Sequence, residues 1–403
     1  MEKGARIDVI GGFDNSPPLH KAISNLGFLD RSNRARTVEV LIGAGADMAQ
    51  FDSEQFTPLM SACHYGCFES AAVLLENGVH PNHENELGQY AANVIIPGKY
   101  SYDDPDEFQE NKSRIFALLK EHGCRVDNVP QQCSIVLCDA IGYGYKTIFN
   151  TLLQLGLDIN KKDARGLAPV MVAVQFGDIY FCNRLLKDET LDVTCRDQAG
   201  ETLIHKAVRR EDPETAAALI AYFIEKGVKT GLLSHGMDIL GFAAYFCRHE
   251  LVTPLLACAP DINNTADNGF TPLFWALCSN ENINEDLRGK TMEKLTALGA
   301  DPGVTDADEK SLLHWAVMVG RNTFIPFIIG LGTDVNATDA TGYSPLCQLV
   351  HIAFNQEDFD MAYFTETAKM LVEKGAQVDR AMALSKQSDG ESQMTQVLEN
   401  LKK

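Results

Sequence analysis

Apolar residues between positions 56 and 88 fall into two short runs at helical spacing. Leu59, Ala62 and Cys63 form one stripe, and Ala71, Ala72, Leu74 and Leu75 form a second. Residues three and four apart share one face of a helix, so the pattern predicts two short amphipathic helices. Thr57 can cap the first by accepting an unpaired backbone N–H. Pro58 follows it at the first helical position, where its fixed φ suits the helix and its missing N–H costs nothing. Gly78 supplies the stop for the second helix, and a polar hairpin segment follows. Helices this short cannot bury a core alone, so the pattern requires neighbours of the same kind.

The neighbours are present. The Pro58 position recurs at Pro18, Ala91, Val136, Pro169, Leu203, Ile239, Pro272, Leu312 and Pro345. The Gly78 position recurs at Gly45, Gly123, Gly156, Glu189, Gly227, Ala259, Gly299, Gly332 and Gly375. Ten units result, with a base period of 33 residues. From a stop to the next start the interval is 13 residues in seven of nine cases. From start to stop it is 20 in five units, but 24 to 32 in the first, third, sixth, eighth and tenth. The extra residues therefore fall between the two helices of those five units. Such insertions are expected to project from one edge of a curved stack as surface loops. After residue 380, Ala381 to Ser385 and Glu391 to Leu401 read as a shortened unit with a polar outer side, suited to cap the array. The expected organisation is an array over residues 1–380 and a C-terminal half unit over 381–403.

This array resembles the ankyrin repeat, a unit of about 33 residues with T-P-L-H-x-A near its start. The matching residues include Thr57-Pro58-Leu59, Thr271-Pro272-Leu273, Ser344-Pro345-Leu346, Thr202 to Ala207 (TLIHKA) and Ser311 to Ala316 (SLLHWA). The G-A-D-V-N close appears as Gly45-Ala46-Asp47, Gly299-Ala300-Asp301 and Thr333-Asp334-Val335-Asn336. The motif histidine occurs at His20, His205 and His314; the resemblance implies a buried hydrogen-bonding role there and looser packing where it is lost. The implied fold is an all-α solenoid of helix-turn-helix-β-hairpin units.

Composition changes the picture in two places. The formal charge of −20 disfavours nucleic-acid partners, which require a cationic surface, and favours proteins with a basic one. Eleven cysteines scattered along predicted helices suit buried thiols in a reducing compartment, the cytoplasm or nucleus, and not a disulfide framework. No apolar run reaches the length of a membrane span. Phosphate loops and hydrolase, zinc-protease and kinase motifs are absent. The best set of metal-ligand types is Cys63, His64, Cys67, His80 and His83. It is divided between an apolar stripe and a hairpin, so no metal or other cofactor is expected.

What remains is binding. In the fold implied, the last turn of the first helix faces a concave groove. That turn carries Tyr65, Tyr143, Phe176, Arg210, Tyr245 and Phe246, residue types enriched at interface centres. Asp163, Arg165, Asp197 and Gln198 lie on adjoining hairpin tips. The expected function is a non-catalytic, monomeric scaffold, adaptor or inhibitor that binds proteins through this groove. The alternatives are a targeting subunit of an enzyme complex, such as a ubiquitin-ligase substrate receptor, or binding through the acidic insertion around Asp103, Asp104, Asp106 and Glu107.

Overall fold

Several of the short helices begin where the sequence supplies an acceptor for their first N–H groups. In the computed structural model Thr57 Oγ1 accepts from Met60 N at 3.2 Å, and Asp238 Oδ1 accepts from Gly241 N at 2.7 Å. His205 and His314 add the reciprocal half: their Nδ1 atoms accept from Thr202 N at 3.2 Å and Ser311 N at 3.1 Å. His314 Nε2 then reaches the Tyr343 carbonyl at 2.8 Å, and His20 Nε2 reaches that of Phe56 at 2.9 Å, tying each unit to the next hairpin segment. Where the histidine is missing, other side chains close the box. Asn93 Oδ1 accepts from Tyr90 N at 3.2 Å, and the Met60 sulfur lies 3.5 Å from Thr57 N. Gly78 ends its helix at φ +83°, a conformation without penalty for glycine.

The structure describes residues 16–24, 31–96, 105–126, 135–229, 236–257, 261–279, 282–356, 359–389 and 393–402. They belong to two compact units, Met1–Gln198 and Ala199–Lys403. In the first, the helices are α1 (Pro18–Ser24), α2 (Arg31–Gly43), α3 (Pro58–His64), α4 (Phe68–Glu76), a 3-10 turn (Ala91–Val94), α5 (Pro105–Glu121), α6 (Val136–Gly142), α7 (Lys146–Gln154), α8 (Pro169–Gln175) and α9 (Ile179–Leu185). First helices pack on first helices, α1 on α3 and α6 on α8, while α2, α4, α5 and α7 pack in turn as a second layer.

The second unit repeats the plan. Its helices are α10 (Leu203–Val208), α11 (Pro213–Glu225), α12 (Ile239–Tyr245), α13 (His249–Leu255), α14 (Pro272–Leu277), α15 (Glu285–Ala297), α16 (Leu312–Met318), α17 (Ile325–Gly330), α18 (Pro345–Asn355), α19 (Met361–Glu373), α20 (Val378–Asp389) and α21 (Gln393–Lys402). One layer runs α10, α12, α14, α16, α18, α20; in the other, α11 packs on α13, α13 on α15, α17 on α19 and α19 on α21. α20 begins at Val378, ahead of the expected 381, and the final pair continues both layers.

Two expectations need correction. The inserted residues are not simply loops: where described, they lengthen the second helix, and in the tenth repeat also the first, α18, which has 11 residues. In the units without insertions that helix has 6 to 9 residues (α4, α7, α9, α13, α17). In the others it has 13 or 17 (α2, α5, α11, α15, α19). The added turns carry their own starts: Asp212, Asn284 and Asp360 cap α11, α15 and α19. Second, no β-strand forms among the described residues. The tips at Asp52, Asn85, Asp163, Ala266, Asp306 and Asp339 each close with a pair of backbone bonds. At Asp163 these are its N–H to the Leu167 carbonyl at 3.0 Å and Gly166 N–H to its own carbonyl at 2.9 Å, too short a pairing for a ladder. No described helix is long and apolar enough to cross a membrane.

Candidate functional site

The tips are built by one device. An aspartate or asparagine Oδ1 accepts from the N–H groups two and four residues on, as at Asp52, Asn85, Asp163, Asp306 and Asp339. These side chains favour such turns because their oxygen imitates a backbone acceptor. Asp163 is therefore buried and holds its tip from inside, with Oδ2 2.8 Å from Arg165 Nη2. Arg165 is what that tip offers outward. Successive tips join: Gln198 N donates to the Arg165 carbonyl at 3.3 Å, and Gln198 Nε2 to that of Ala164 at 2.6 Å. Asp197 sits half-buried beside this junction.

Farther from the tips, asparagines bridge one repeat to the next within each compact unit. Asn160 Nδ2 donates to the Thr190 carbonyl at 2.7 Å while its Oδ1 accepts from Asp192 N at 2.8 Å. Asn82, Asn263 and Asn336 make the same pair of bonds to Gly123 and Arg125, to Gly299 and Asp301, and to Gly375 and Gln377. Successive hairpin segments within each compact unit are thus held in register.

That register places the groove residues at helix ends. Tyr65, Tyr143, Phe176 and Phe246 are the C-cap residues of α3, α6, α8 and α12, and Tyr245 is the last residue of α12. Their environments differ. Tyr143 is 54% exposed and stacks on Tyr145 at 5.7 Å; Phe176 is 67% exposed. These two end neighbouring, packed helices of the first unit. Tyr65 is half-buried against His64, with centroids 5.0 Å apart. In the second unit Arg210 is half-buried, and its carbonyl accepts from Arg248 Nη1. Phe246 packs on Phe242 at 5.0 Å and Tyr245 at 5.3 Å.

Arg210 stands at the expected groove position, but it is the preceding Arg209 that engages rings. Its guanidinium lies 4.6 Å from the Phe246 centroid and 5.1 Å from that of Phe242. Glu201, buried, fixes it: Oε1 accepts from Arg209 Nη2 at 2.6 Å and Oε2 from Lys206 Nζ at 2.6 Å. Also missed were Trp275 and Trp315, which stand three residues after the Pro272 and Leu312 anchors. That spacing, one helical turn before the groove residues, was the available signal.

Burial raises the Cys124 and Cys278 thiols to about 12 and Cys195 to about 11, away from nucleophilic thiolate character. Cys63 and Cys67 are buried, Cys67 Sγ accepts from Arg34 Nη1 at 3.0 Å, and His83 packs edge-on to Phe51. Among the described residues no group of His, Cys, Asp and Glu side chains converges as metal ligands. Asp103 and Asp104 lie outside the described residues; Asp106 and Glu107 are in the first turn of α5.

A family model described as ankyrin repeats (3 copies) matches residues 3–85, 137–230, 170–266 and 240–339. An ankyrin repeat protein of Acanthamoeba polyphaga mimivirus is 24% identical over 272 residues, covering 63% of this chain and 34% of that protein. SH3 and multiple ankyrin repeat domains protein 2 of Homo sapiens is 26% identical over 205 residues, 45% of this chain and 10% of its own length. E3 ubiquitin-protein ligase KEG of Arabidopsis thaliana is 23% identical over 251 residues, 57% and 14% respectively. The matched stretch spans about a third or less of these relatives.

Proposed function

This chain belongs to the ankyrin repeat family, and from that premise we propose that it is a non-catalytic protein-binding module, a scaffold, adaptor or inhibitor. Its array would occupy residues 1–380 with a capping half repeat over 381–403, and it would act in the cytoplasm or nucleus. The partner would be a protein seated on the helix-end faces: Tyr65, Tyr143 and Phe176 in the first unit, Arg210, Tyr245 and Phe246 in the second. Arg165, Asp197 and Gln198 would supply rim contacts, with Asp163 holding Arg165 in place. The observation that carries the reading is the exposure of Tyr143 and Phe176 on adjacent helix ends. A turn before a glycine has no local need of aromatics, and aromatic surface exposed in succession marks interaction sites.

A second reading is a targeting subunit of a ubiquitin-ligase complex, which the name of one relative favours. Both are tested together. Partners are isolated by affinity purification from the native cell, and their affinity is measured for a Tyr143→Ala/Phe176→Ala variant. Both residues are exposed, so melting should not change. Affinity should fall by about 1–3 kcal/mol per hot-spot residue. Full affinity with unchanged melting would reject these faces and leave the α5 edge with Asp106 and Glu107. Binding at that edge would weaken steeply with salt. Recovery of ubiquitin-ligase subunits would favour the second reading.

A further inference from the structure

The aromatic residues of the second unit continue beyond those the sequence singled out. Tyr245 meets Trp275 edge-on at 6.2 Å. Trp275 meets Phe270 at 5.0 Å, and Phe270 meets Trp315 at 4.8 Å. Phe270 is buried between the indoles, whereas Tyr245, Trp275 and Trp315 are half-buried and keep ring surface in solvent. The row crosses α12, α14 and α16, which pack on one another in succession.

Carboxylates border it. Asp306 Oδ2 accepts from Trp315 Nε1 at 2.7 Å, which turns that indole toward its tip. The same tip carries Asp308 and Glu309, both exposed, and the preceding tip carries Asp267, also exposed. Lys310 is the cation on these two tips and is paired with Asp308 at 2.8 Å. The position where Trp315 finds Asp306 is Ala266 for Trp275, whose indole N–H has no acceptor among the described residues.

The neighbouring segment shows what such a surface holds. There Arg209 lies over Phe242 and Phe246 with its guanidinium bonded to Glu201. Around Trp275 and Trp315 the rings and carboxylates recur, but among the described residues no cation lies over either indole. A guanidinium is attracted to an aromatic face, most strongly to tryptophan, and remains charged at any physiological pH.

We propose that the Tyr245–Trp275–Trp315 row, with Asp267, Asp308 and Glu309 at its border, is a seat for arginine side chains from a basic segment of a partner protein. This rests on the protein-binding reading and names the chemistry of one of its surfaces. The planar cation would stack on the indoles while the tip carboxylates accept its N–H bonds. A lysine ammonium satisfies the charge but has no plane to stack.

Both tryptophans of the chain lie in this row, so intrinsic emission reports on it directly. The full chain is titrated at physiological salt with a synthetic glycine–arginine repeat peptide and with its glycine–lysine counterpart of equal charge. The arginine peptide should change the emission saturably and bind about fivefold more tightly than the lysine peptide. Trp275→Leu should abolish that preference with melting unchanged. Should that variant fail to fold, Tyr245→Leu carries the same test. Asp267→Asn should weaken both peptides alike. Equal affinities in the wild type, or a preference retained in the folded Trp275→Leu variant, would mean that net charge alone attracts the peptides, and would overturn the proposal. A native partner sensitive to Tyr143→Ala/Phe176→Ala but not to Trp275→Leu would overturn it too, while leaving the protein-binding reading intact.

Discussion

Lys112, on α5, is fully buried in the core, where its ammonium donates to the Ile95 carbonyl. Desolvation lowers its pKa to about 7, against a smaller upward pull from Cys63. In the unfolded chain the same group titrates near ~10.4. Between these values the unfolded state holds a proton that the folded state has released, so stability rises with pH. The cost of burying this lysine is greatest below pH 7 and is relieved above it. From pH 7 to 8.5 the gain should approach about 1.4 kcal/mol per pH unit. Urea unfolding of the wild type should show that rise relative to Lys112→Met, which has no such proton to release. Parallel pH profiles for the two proteins would show that Lys112 does not titrate there.

At the scale of the element, stability depends on how closely first helices approach. Ala62 in α3 and Ala276 in α14 are completely buried, and each helix packs on both neighbours in its layer: α1 and the 91–94 turn, and α12 and α16. An aspartate at either position would bring an unpaired charge into an apolar contact. Ala62→Asp and Ala276→Asp should each destabilise by about 3 kcal/mol or more. Thermal melting checks this, and an unchanged midpoint in both would mean that these helices do not form the packed layer. The long second helices belong to this scale as well. Spacing located the extra residues between starts and stops. It did not say that they would become helix, because a helix that long is stabilised chiefly by the layer it packs on.

For the whole molecule, charge is the dominant property. A net −20 opposes association of like chains and favours cationic partners. Sedimentation at physiological salt should therefore give the mass of a monomer. A stable dimer under those conditions would show that an apolar face outweighs the repulsion, and Tyr143 and Phe176 would be the first residues to test for it.

The sequence by itself determined the family, the period, the starts of the first helices, the glycine stops of the second, and the turn residues at the tips. These depend on local rules: Thr57 before Pro58, Gly78 at positive φ, Asp163 two residues ahead of Arg165. Candidate surface residues were legible too, because a helix end recurring every 33 residues presents its last turn alike each time. Their state was not. Phe176 is two-thirds exposed, yet Phe246, at the same register, lies under Arg209. Asp163 and Arg165 share one tip, yet the first is buried and the second outward. Nor could spacing show that Phe270 would stand between Trp275 and Trp315, since those rings come from different units. Which side chain covers which is settled only when units stack, because burial and ring contact depend on the neighbour as much as on the residue.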